Sequence, residues 1–351
     1  MKEDILSYNL EELTERVVSL GLPKFRAGQI YRWLHKVGVT SFSEMTDLSL
    51  SLRERLDDSF VIFSCSIEKK QVSAYDNTVK YLFSLHDGEW IESVVMEYKY
   101  GHTICVSSQV GCRMGCRFCA STLGGVVRNL SPSEILSQVY AAERDLGVRI
   151  SHVVMMGMGE PLDNFDNVMK FLELITDENG KNVSMRHVSL STCGLVPRIG
   201  ELADKKLQLT LSVSLHAPND RLRSEMMPVN RKWGVSQLIA ACRDYAEKTS
   251  RRISFEYALV RGKNDTPACA EELASLLKGM LCHINLIPVN EVRETGMKKS
   301  TPENVKRFES ILAAKGFAVT VRRELGSDID AACGQLRKRA RLEQNVENEE
   351  P

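Results

Sequence analysis

The chain has 351 residues, 43% of them hydrophobic, and its 46 basic residues balance its 46 acidic ones. This length allows a substantial core without disulfide staples, in one large domain or one large and one small domain. The first residues lack a signal pattern, and no stretch reaches the about 18 apolar residues of a membrane span, so we expect a cytoplasmic protein. A formal net charge of zero excludes few functions, because binding to a charged partner such as a nucleic acid depends on how charges are distributed over the surface.

The first 60 residues predict a small helical domain. Apolar residues recur at helical spacing in three segments, at about 9–18, 25–35 and 49–60. Gly21 and Pro23 separate the first two segments. The second segment also carries basic side chains, at Lys24, Arg26, Arg32 and Lys36.

Residues 61–98 predict a β linker or extension, with short strands at 61–63, 79–83 and 91–96. From residue 99 to 336, short apolar runs alternate with helix-like segments, one of which begins with the helix-start residues Ser131, Pro132 and Glu134. This alternation predicts an α/β core with a parallel sheet, either doubly wound or barrel-like, and a site at the carboxyl ends of its strands. The apolar runs lie at 103–106, 152–156, 187–190, 209–215, 253–259, 284–287 and 317–321. We expect the charged tail, 337–351, to be disordered.

Three of the ten cysteines, Cys112, Cys116 and Cys119, follow the first strand of this core with the spacing C-x3-C-x2-C. In a cytosolic chain, clustered cysteines bind metal more often than they form disulfides. Three thiolates at this spacing can hold three irons of a cubane cluster and leave the fourth iron open to a small molecule. A structural zinc site needs a fourth Cys or His at short spacing, and none follows. Chance clustering of buried cysteines is the remaining alternative.

This cysteine triad resembles the signature of the radical-SAM superfamily, and the resemblance covers about residues 103–335. It implies an α/β fold, a partial (β/α)6 radical-SAM barrel with the small N-terminal helical domain in front. It also implies one 4Fe-4S cluster on Cys112, Cys116 and Cys119, with S-adenosylmethionine (SAM) on the open iron. In that superfamily the reduced cluster cleaves SAM to methionine and a 5′-deoxyadenosyl radical, while the protein orients the reactants and excludes water.

Further segments match superfamily positions that contact SAM. Residues 157–161 follow the second strand and resemble the Gly-Gly-Glu segment that holds the amino group of the methionine. The other segments end or follow the third, fourth and sixth strands. The resemblance implies SAM contacts at Gly159, Glu160, Ser191, Ser214, Leu215, His216 and Asn290. A single Gly-x-Gly turn, or His216 alone, is more often structural, so the prediction depends on these matches occurring together in register.

The segments around Cys105 and Cys333, together with residues 156–161 and 227–230, resemble the RNA adenine methyltransferases of this superfamily. The match is to the bifunctional enzymes that methylate adenine C2 in 23S rRNA and tRNA, and it extends through the N-terminal helical domain. It implies an adenosine near the peptidyl-transferase centre of 23S rRNA and the tRNA adenosine 3′ to the anticodon as targets. The basic face of residues 1–60 is then expected to dock RNA, the simpler alternative being plain solvation.

Adenine C2 is electron-poor and carries no acidic proton, so it cannot attack the methyl group of SAM directly. The resemblance implies that Cys333 first takes a methyl group from one SAM by displacement. A second SAM is then cleaved, and the radical formed on the S-methyl group adds to C2. Cys105 attacks the Cys333 sulfur and releases methylated RNA, which leaves a disulfide between the two cysteines. Each turnover uses two SAM, an external electron donor and a thiol reductant.

The ring proton requires an acceptor, and by resemblance Glu92 matches the family's proposed base, with Cys105 as the alternative. A lone Glu at a strand end is otherwise usually solvated. Without the resemblance, Cys105 and Cys333 would be interpreted as small buried hydrophobic residues. The other five cysteines keep that interpretation: Cys65, Cys193, Cys242, Cys269 and Cys282.

Three other functions compete with this hypothesis. The closest is the C8-methylating relative that confers antibiotic resistance, which shares the triad, Cys105 and Cys333 but departs at Pro161 and Cys193. A radical-SAM activase of a partner protein would need only the triad, and an iron–sulfur sensor or RNA-binding protein would not cleave SAM. We expect a monomer without membrane contact. The candidate phosphate contacts are Arg128, Lys298, Lys299, Arg322, Arg323 and the basic residues at 337–339.

Overall fold

Fourteen strands are present in the computed structural model of the chain, which describes residues 2–289, 296–329 and 336–337. The strands are β1 (Glu3–Asp4), β2 (Phe60–Val61), β3 (Ser66–Val72), β4 (Val79–Ser84), β5 (Trp90–Tyr98), β6 (Gly101–Cys105), β7 (Gln109–Gly111), β8 (Val126–Asn129), β9 (Ile150–Met155), β10 (Val188–Thr192), β11 (Thr210–Ser214), β12 (Ile253–Leu259), β13 (Cys282–Pro288) and β14 (Ala318–Val321).

Ten α-helices that lie wholly within the described ranges accompany these strands. They are α1 (Leu10–Ser19), α2 (Phe25–Tyr31), α3 (Leu50–Ser59), α4 (Pro132–Leu146), α5 (Phe165–Thr176), α6 (Val196–Asp204), α7 (Asp220–Met226), α8 (Val235–Thr249), α9 (Pro267–Leu276) and α10 (Pro302–Ala314). A π-helical segment over Arg32–Val37 continues α2.

Ten of the strands form one sheet in the order β14-β13-β12-β11-β10-β9-β6-β5-β4-β3. From β6 to β14 the neighbouring strands run parallel, and helices α4 to α10 lie in the connections between them. The resulting six strand–helix units, followed by β14, confirm the expected partial (β/α)6 barrel and add a seventh parallel strand. Strands β5, β4 and β3 continue the same sheet in antiparallel pairing. The sheet therefore runs without interruption across residue 98, where we expected the extension to meet the core.

Strand β3 was not predicted, and its composition explains the difference. Its sequence is SIEKKQV, in which the two strongly apolar residues, Ile67 and Val72, do not alternate with polar ones and are both exposed. Pairing with β4 supplies the strand conformation that the local pattern does not indicate. As the outer strand of the sheet, β3 has polar side chains on both faces, so period-2 patterning carries no signal there.

The three predicted N-terminal helices are present and pack on the barrel. Strand β1 pairs in parallel with β2, which brings the two ends of this helical unit together. The Tyr31 hydroxyl donates to Asp177 at 2.9 Å, and the buried His35 lies 3.2 Å from the Tyr140 hydroxyl of α4. One apolar core includes residues of the N-terminal helices and of the barrel.

Helix α4 begins where the sequence indicated. The Ser131 hydroxyl accepts from the Glu134 N–H while the Glu134 carboxylate accepts from the Ser131 N–H, and Pro132 occupies the first turn. The helix ends at Gly147, whose φ of 65° is left-handed. In the described part of the chain, no helix combines the length and apolar character that crossing a membrane requires.

Candidate active site

A cavity of about 360 Å³ opens at the carboxyl ends of the parallel strands. Residues from or just after all seven of these strands line it, so the site lies where the sheet topology predicts. They include Cys105, Met156, Ser191, Ser214, Glu256, Ile287 and Arg322. The volume is in the range of small-molecule and cofactor sites.

The three triad cysteines line this cavity from one loop. The short antiparallel pair β7–β8 brackets the loop, and the Cys112 N–H donates to the Gly125 carbonyl at 2.9 Å. Inside the loop, the Thr122 hydroxyl donates to the carbonyls of Cys119 and Cys116, at 2.9 and 3.2 Å. These bonds close the loop on itself, so the three side chains share one wall.

The raised pKa values of these thiols mean that a bound metal must displace their protons. Burial raises the pKa of Cys112 to about 12 and raises that of Cys116, and the neighbouring negative groups add to both effects. Such thiols remain protonated at neutral pH unless a metal displaces the proton. Nothing in the described ranges groups three His, Cys, Asp or Glu side chains as a single metal ion would need. A cubane cluster binds its three protein thiolates on three different irons, so these ligands need not meet at a single metal position. All three triad cysteines line the same cavity, as such a cluster requires.

The turn after β9 packs closely against the segment that follows β6. At two positions of this turn there is no room for a side chain. A Cβ on Gly157 would lie 2.6 Å from the Val106 carbonyl oxygen. A Cβ on Gly159, where φ is +102°, would lie 2.7 Å from both the backbone nitrogen and the Cβ of Gln109. The glycines expected for close approach to a ligand therefore also allow two backbone segments to meet.

Glu160 is buried at the floor of this turn, with 3% of its surface exposed. One carboxylate oxygen accepts from the Leu162 N–H at 3.1 Å, and the other accepts from the Cys193 N–H at 2.7 Å. Burial raises the pKa of Glu160, and the hydrogen bonds from Cys193 and its neighbours oppose that rise. Glu160 thus joins the end of β9 to the end of β10.

The fourth parallel strand, β11, ends in the expected segment 214–216. Ser214 and His216 line the cavity, whereas the Leu215 side chain is fully buried in the core, which leaves only its backbone near the site. His216 has the unusual φ of 55°. The Ala258 N–H donates to its Nδ1 at 2.9 Å, so the neutral ring carries its proton on Nε2. Burial lowers the pKa of His216 to about 3, and Phe118 of the cysteine loop packs edge-on against the ring at 4.8 Å.

Cys105 and Glu92 lie on the same face of neighbouring strands, but only Cys105 lines the cavity. Cys105 is opposite Val94 on β5, and Glu92 is two residues from Val94. The Glu92 carboxylate lies 2.9 Å from the Lys80 ammonium, with both side chains buried. Glu92 is therefore not the solvated strand-end residue that its sequence position suggested. Asn290 and Cys333 lie outside the described residues.

The sequence did not single out three cavity features. Cys193, predicted to be an ordinary buried cysteine, lines the cavity, and Arg223 lies fully buried behind it. Glu256 on β12 lines this cavity and also a second, polar cavity of about 470 Å³ inside the barrel. The alternation of side chains along β12 is the one sequence signal that could have indicated that Glu256 faces inward. No local pattern indicated the positions of Cys193 and Arg223.

Two of the basic candidates for phosphate contact are structural. The Arg128 guanidinium donates to both Glu134 oxygens, at 2.7 and 2.8 Å, and to Asp87 at 2.6 Å. Arg337 is nearly buried and donates to Glu89 at 2.8 Å. Both are engaged in ion pairs that hold the β extension, which corrects their interpretation as phosphate contacts. Arg322 and Arg323 are exposed and line the rim of the cavity.

Two family models match the chain. One, described as the Radical SAM superfamily, matches residues 106–277, and the other, the Ribosomal RNA large subunit methyltransferase N-terminal domain, matches residues 3–62. The crystal structure of a radical SAM methyltransferase from Sphaerobacter thermophilus is 43% identical, with 95% of this chain and 98% of that chain covered and a TM-score of 0.91. Fold and cysteine loop together define a radical-SAM enzyme.

Comparison with curated protein sequences identifies the family within the radical-SAM enzymes. A protein of Desulforamulus reducens is 56% identical over 338 residues, 96% of this chain and 97% of the relative. One of Clostridium novyi is 53% identical over 336 residues, 96% of this chain and 98% of the relative. Both are named "Probable dual-specificity RNA methyltransferase RlmN". This chain belongs to the RlmN family of radical-SAM RNA methyltransferases, which confirms the family inferred from the cysteine motifs.

Proposed function

We propose that this protein methylates carbon 2 of adenosine in 23S rRNA and in tRNA, through a methyl group carried on Cys333. One observation carries the proposal: the cysteine triad, the turn at 157–160 and Cys105 line a single cavity. A radical-SAM activase needs no thiol beyond the triad, so the position of Cys105 favours the methyltransferase chemistry over that alternative.

Cys112, Cys116 and Cys119 would hold three irons of one 4Fe-4S cluster. The SAM site would be formed by Gly159, Glu160, Ser191, Ser214, Leu215 and His216, with Asn290. When bound, these groups supply an electron and a 5′-deoxyadenosyl radical that abstracts a hydrogen atom. Glu160 is placed to accept hydrogen bonds from an ammonium group, because it is a buried carboxylate at the cavity floor. The neutral His216 ring offers an N–H donor.

Cys333 takes the methyl group as a thiolate and presents it to the base. After the carbon–carbon bond to C2 has formed, the adduct loses the ring proton and one electron, which restores the aromatic ring. The Cys105 thiolate then attacks the Cys333 sulfur, and a disulfide bond forms as the bond between that sulfur and the transferred carbon breaks. The carbon keeps the electron pair and takes up a proton, so the RNA leaves with a methyl group. A thiol reductant then restores both cysteines, and an external donor supplies the electron for the next turnover.

The ring proton passes to Glu92 or to Cys105. Glu92 is supported by its position on the same sheet face as Cys105, two residues along β5 from the pairing partner Val94. Its carboxylate lies 2.9 Å from the Lys80 ammonium, which fixes its position on that face. Cys105 is supported by its direct exposure to the cavity. The two candidates are distinguished by measuring the rate at which the proton on C2 is released in the variants Glu92→Gln and Cys105→Ser. The variant that lacks the acceptor should release it more slowly.

RNA docking is assigned to the cavity rim and to residues 1–60, which we propose as an accessory domain. Arg322 and Arg323 lie at the rim, where an extruded base would enter. On α2, the Phe25 ring is 62% exposed and the Arg26 guanidinium lies 4.9 Å from its centre. Exposed aromatic and cationic groups of this kind bind unpaired RNA by stacking and charge. We place the enzyme in the cytoplasm, as a monomer.

Nucleoside mass spectrometry tests the proposal. The cluster is reconstituted without oxygen, and SAM, reductant and unmodified 23S rRNA or tRNA are added. We expect 2-methyladenosine from the wild type and none from Cys333→Ala. Cys282→Ala is the matched control, because Cys282 is a buried cysteine at the opposite end of the barrel, and it should retain activity. The appearance of 8-methyladenosine would replace the C2 assignment, and SAM cleavage without RNA methylation would refute the RNA substrate.

The variant Cys105→Ala tests the release step separately. Without the resolving thiolate, RNA remains joined to Cys333, so we expect a protein–RNA adduct that survives a denaturing gel. Cys333→Ala should give no adduct, and the double variant should give none either. Free methylated RNA from Cys105→Ala would show that another group resolves the intermediate.

A further inference from the structure

Arg223 on α7 is a cation that the protein has buried completely, with 0% of its surface exposed. Its guanidinium makes four hydrogen bonds, and every acceptor is neutral. Nε donates to the Leu215 carbonyl at 3.1 Å, and Nη1 donates to the Asn230 side-chain oxygen at 3.0 Å. Nη2 donates to the carbonyls of Cys193 and Ser214, at 2.6 and 3.1 Å. Within the described ranges it forms no ion pair, which is rare for a buried arginine.

These bonds hold the strand ends that form the cavity wall. The carbonyls of Cys193 and Ser214 follow or end β10 and β11, so one guanidinium fixes both relative to α7. Asn230 belongs to the segment after α7, which contacts the cysteine loop. The Arg117 N–H donates to the Met226 carbonyl at 2.9 Å. Through α7, whose last residue is Met226, Arg223 is therefore connected to the loop that carries the triad.

Arg223 also lies directly behind the wall of the cavity that holds the triad. Its guanidinium binds the Cys193 carbonyl, and Cys193 lines the same cavity as Cys112, Cys116 and Cys119. Because the Arg223 side chain is fully buried, solvent screens its charge only weakly on this side of the cavity.

We propose that Arg223 raises the reduction potential of the cluster held by the triad, while its hydrogen bonds position the ends of β10 and β11 around it. This inference rests on the proposed 4Fe-4S cofactor. One-electron reduction adds a negative charge to a cluster that already carries three thiolates. A nearby buried cation stabilises the reduced form more than the oxidised one, and net charge is a recognised determinant of cluster potential. Arg223 is a positioning residue, because it reaches the reaction only through the cluster and the strand ends.

The test is an EPR-monitored redox titration of reconstituted protein with a chemical one-electron reductant, without SAM or RNA. Arg223→Met removes the charge, Arg223→Lys keeps it but loses the planar fork, and Arg221→Met is the matched control. Arg221 lies on the same helix, with its side chain 75% exposed beside Glu225. We expect Arg223→Met to lower the equilibrium constant for reduction at least tenfold, a shift of about 59 mV to more negative potential for one electron. The reduction potential of Arg223→Lys should stay closer to that of the wild type, and Arg221→Met should have the same potential as the wild type.

Other outcomes separate the possible failures. If the wild type binds no cluster, the proposed 4Fe-4S cofactor is wrong. The inference about its reduction potential then fails together with the proposed function. If clusters form in all variants and Arg223→Met titrates with the wild type, Arg223 is purely structural and the inference is overturned. If Arg223→Met does not fold, Arg223→Gln takes its place in the titration, because it also removes the charge but can still donate hydrogen bonds to the strand ends. A potential equal to that of the wild type in Arg223→Gln would then overturn the inference.

Discussion

The Lys80 ammonium and the Glu92 carboxylate lie 2.9 Å apart, with 0% and 2% of their side-chain surfaces exposed. They belong to the adjacent antiparallel strands β4 and β5. The N–H of Arg337 donates to the other oxygen of the same carboxylate at 2.6 Å. The pair therefore joins two strands of the extension to the chain segment that follows Cys333.

Removing one member of this pair should be costly. In Lys80→Met the buried Glu92 carboxylate loses the ammonium group 2.9 Å away, and we expect a loss of about 3–5 kcal/mol in the free energy of unfolding. Lys70→Met is the control, because Lys70 pairs with Asp145 at 2.5 Å but both side chains are partly exposed. That pair should contribute only about 0–1 kcal/mol. Urea titrations measure both, and equal losses would contradict the distinction.

Gly159→Ala should distort the floor of the cavity. The new Cβ would lie 2.7 Å from Gln109 at a φ of +102°, so the turn must move. We expect a loss of at least about 2 kcal/mol in unfolding free energy and a reduced yield of cluster after reconstitution. Gly200→Ala on α6 meets no atom within 4 Å and should instead stabilise the helix by about 0.5–1 kcal/mol. Thermal unfolding and iron content check both variants.

His35 should make the stability of the protein sensitive to mild acid. Burial lowers its pKa to about 3 from 6.5, although the field of Asp177 opposes the shift. The unfolded chain therefore takes up this proton before the folded chain does. The contribution of His35 to stability is complete above pH 6.5 and is lost as the pH falls toward about 3. His216 behaves in the same way.

Replacing His35 by Leu should reduce the slope of unfolding free energy against pH, between pH 6 and 4, by up to about 1.4 kcal/mol per unit. The slope should not vanish, because His216 still titrates. His86→Gln serves as the control, since the His86 side chain is 68% exposed. An unchanged slope in His35→Leu would show that His35 is not the source of the pH dependence.

Arg323→Ala should weaken RNA binding without affecting the fold. Loss of one phosphate contact lowers the dependence of log affinity on log salt by about one. Arg128→Ala should behave in the opposite way, because its guanidinium is held by Glu134 and Asp87. That variant should unfold more easily and keep the salt slope of the wild type. Filter binding of tRNA at several salt concentrations, beside thermal unfolding, separates the two effects.

The features predicted correctly from the sequence are those determined by short segments. The triad occupies eight consecutive positions of one loop, so its spacing is visible in a single short segment, and the structure places all three side chains on one cavity. Its role in holding a cluster stays a prediction. The ends of β9 and β11 carried their motifs directly after apolar runs. Helix α4 was predictable from the capping pair Ser131 and Glu134, because these residues interact within one turn.

The remaining features depend on contacts between distant parts of the chain. Arg223 is functional in our interpretation because β10 and β11 end beside it, and a charged residue on a short helix otherwise suggests a solvated surface. Glu92 acquires its environment from Lys80, twelve residues earlier, and from Arg337. The burial of Cys193 against Glu160 likewise depends on the neighbouring order of β9 and β10. No window of local sequence contains these pairings.

Strand β3 ends the ten-stranded sheet and presents a row of main-chain groups that another polypeptide could pair with. Its side chains include Glu68, Lys69 and Lys70, which a second strand docked at this edge would have to desolvate. Charged edge strands are a common protection against intermolecular sheet extension. The same composition that concealed β3 from pattern analysis therefore protects the enzyme from aggregation, and Lys69→Val with Lys70→Val would be the change to avoid in any engineered form.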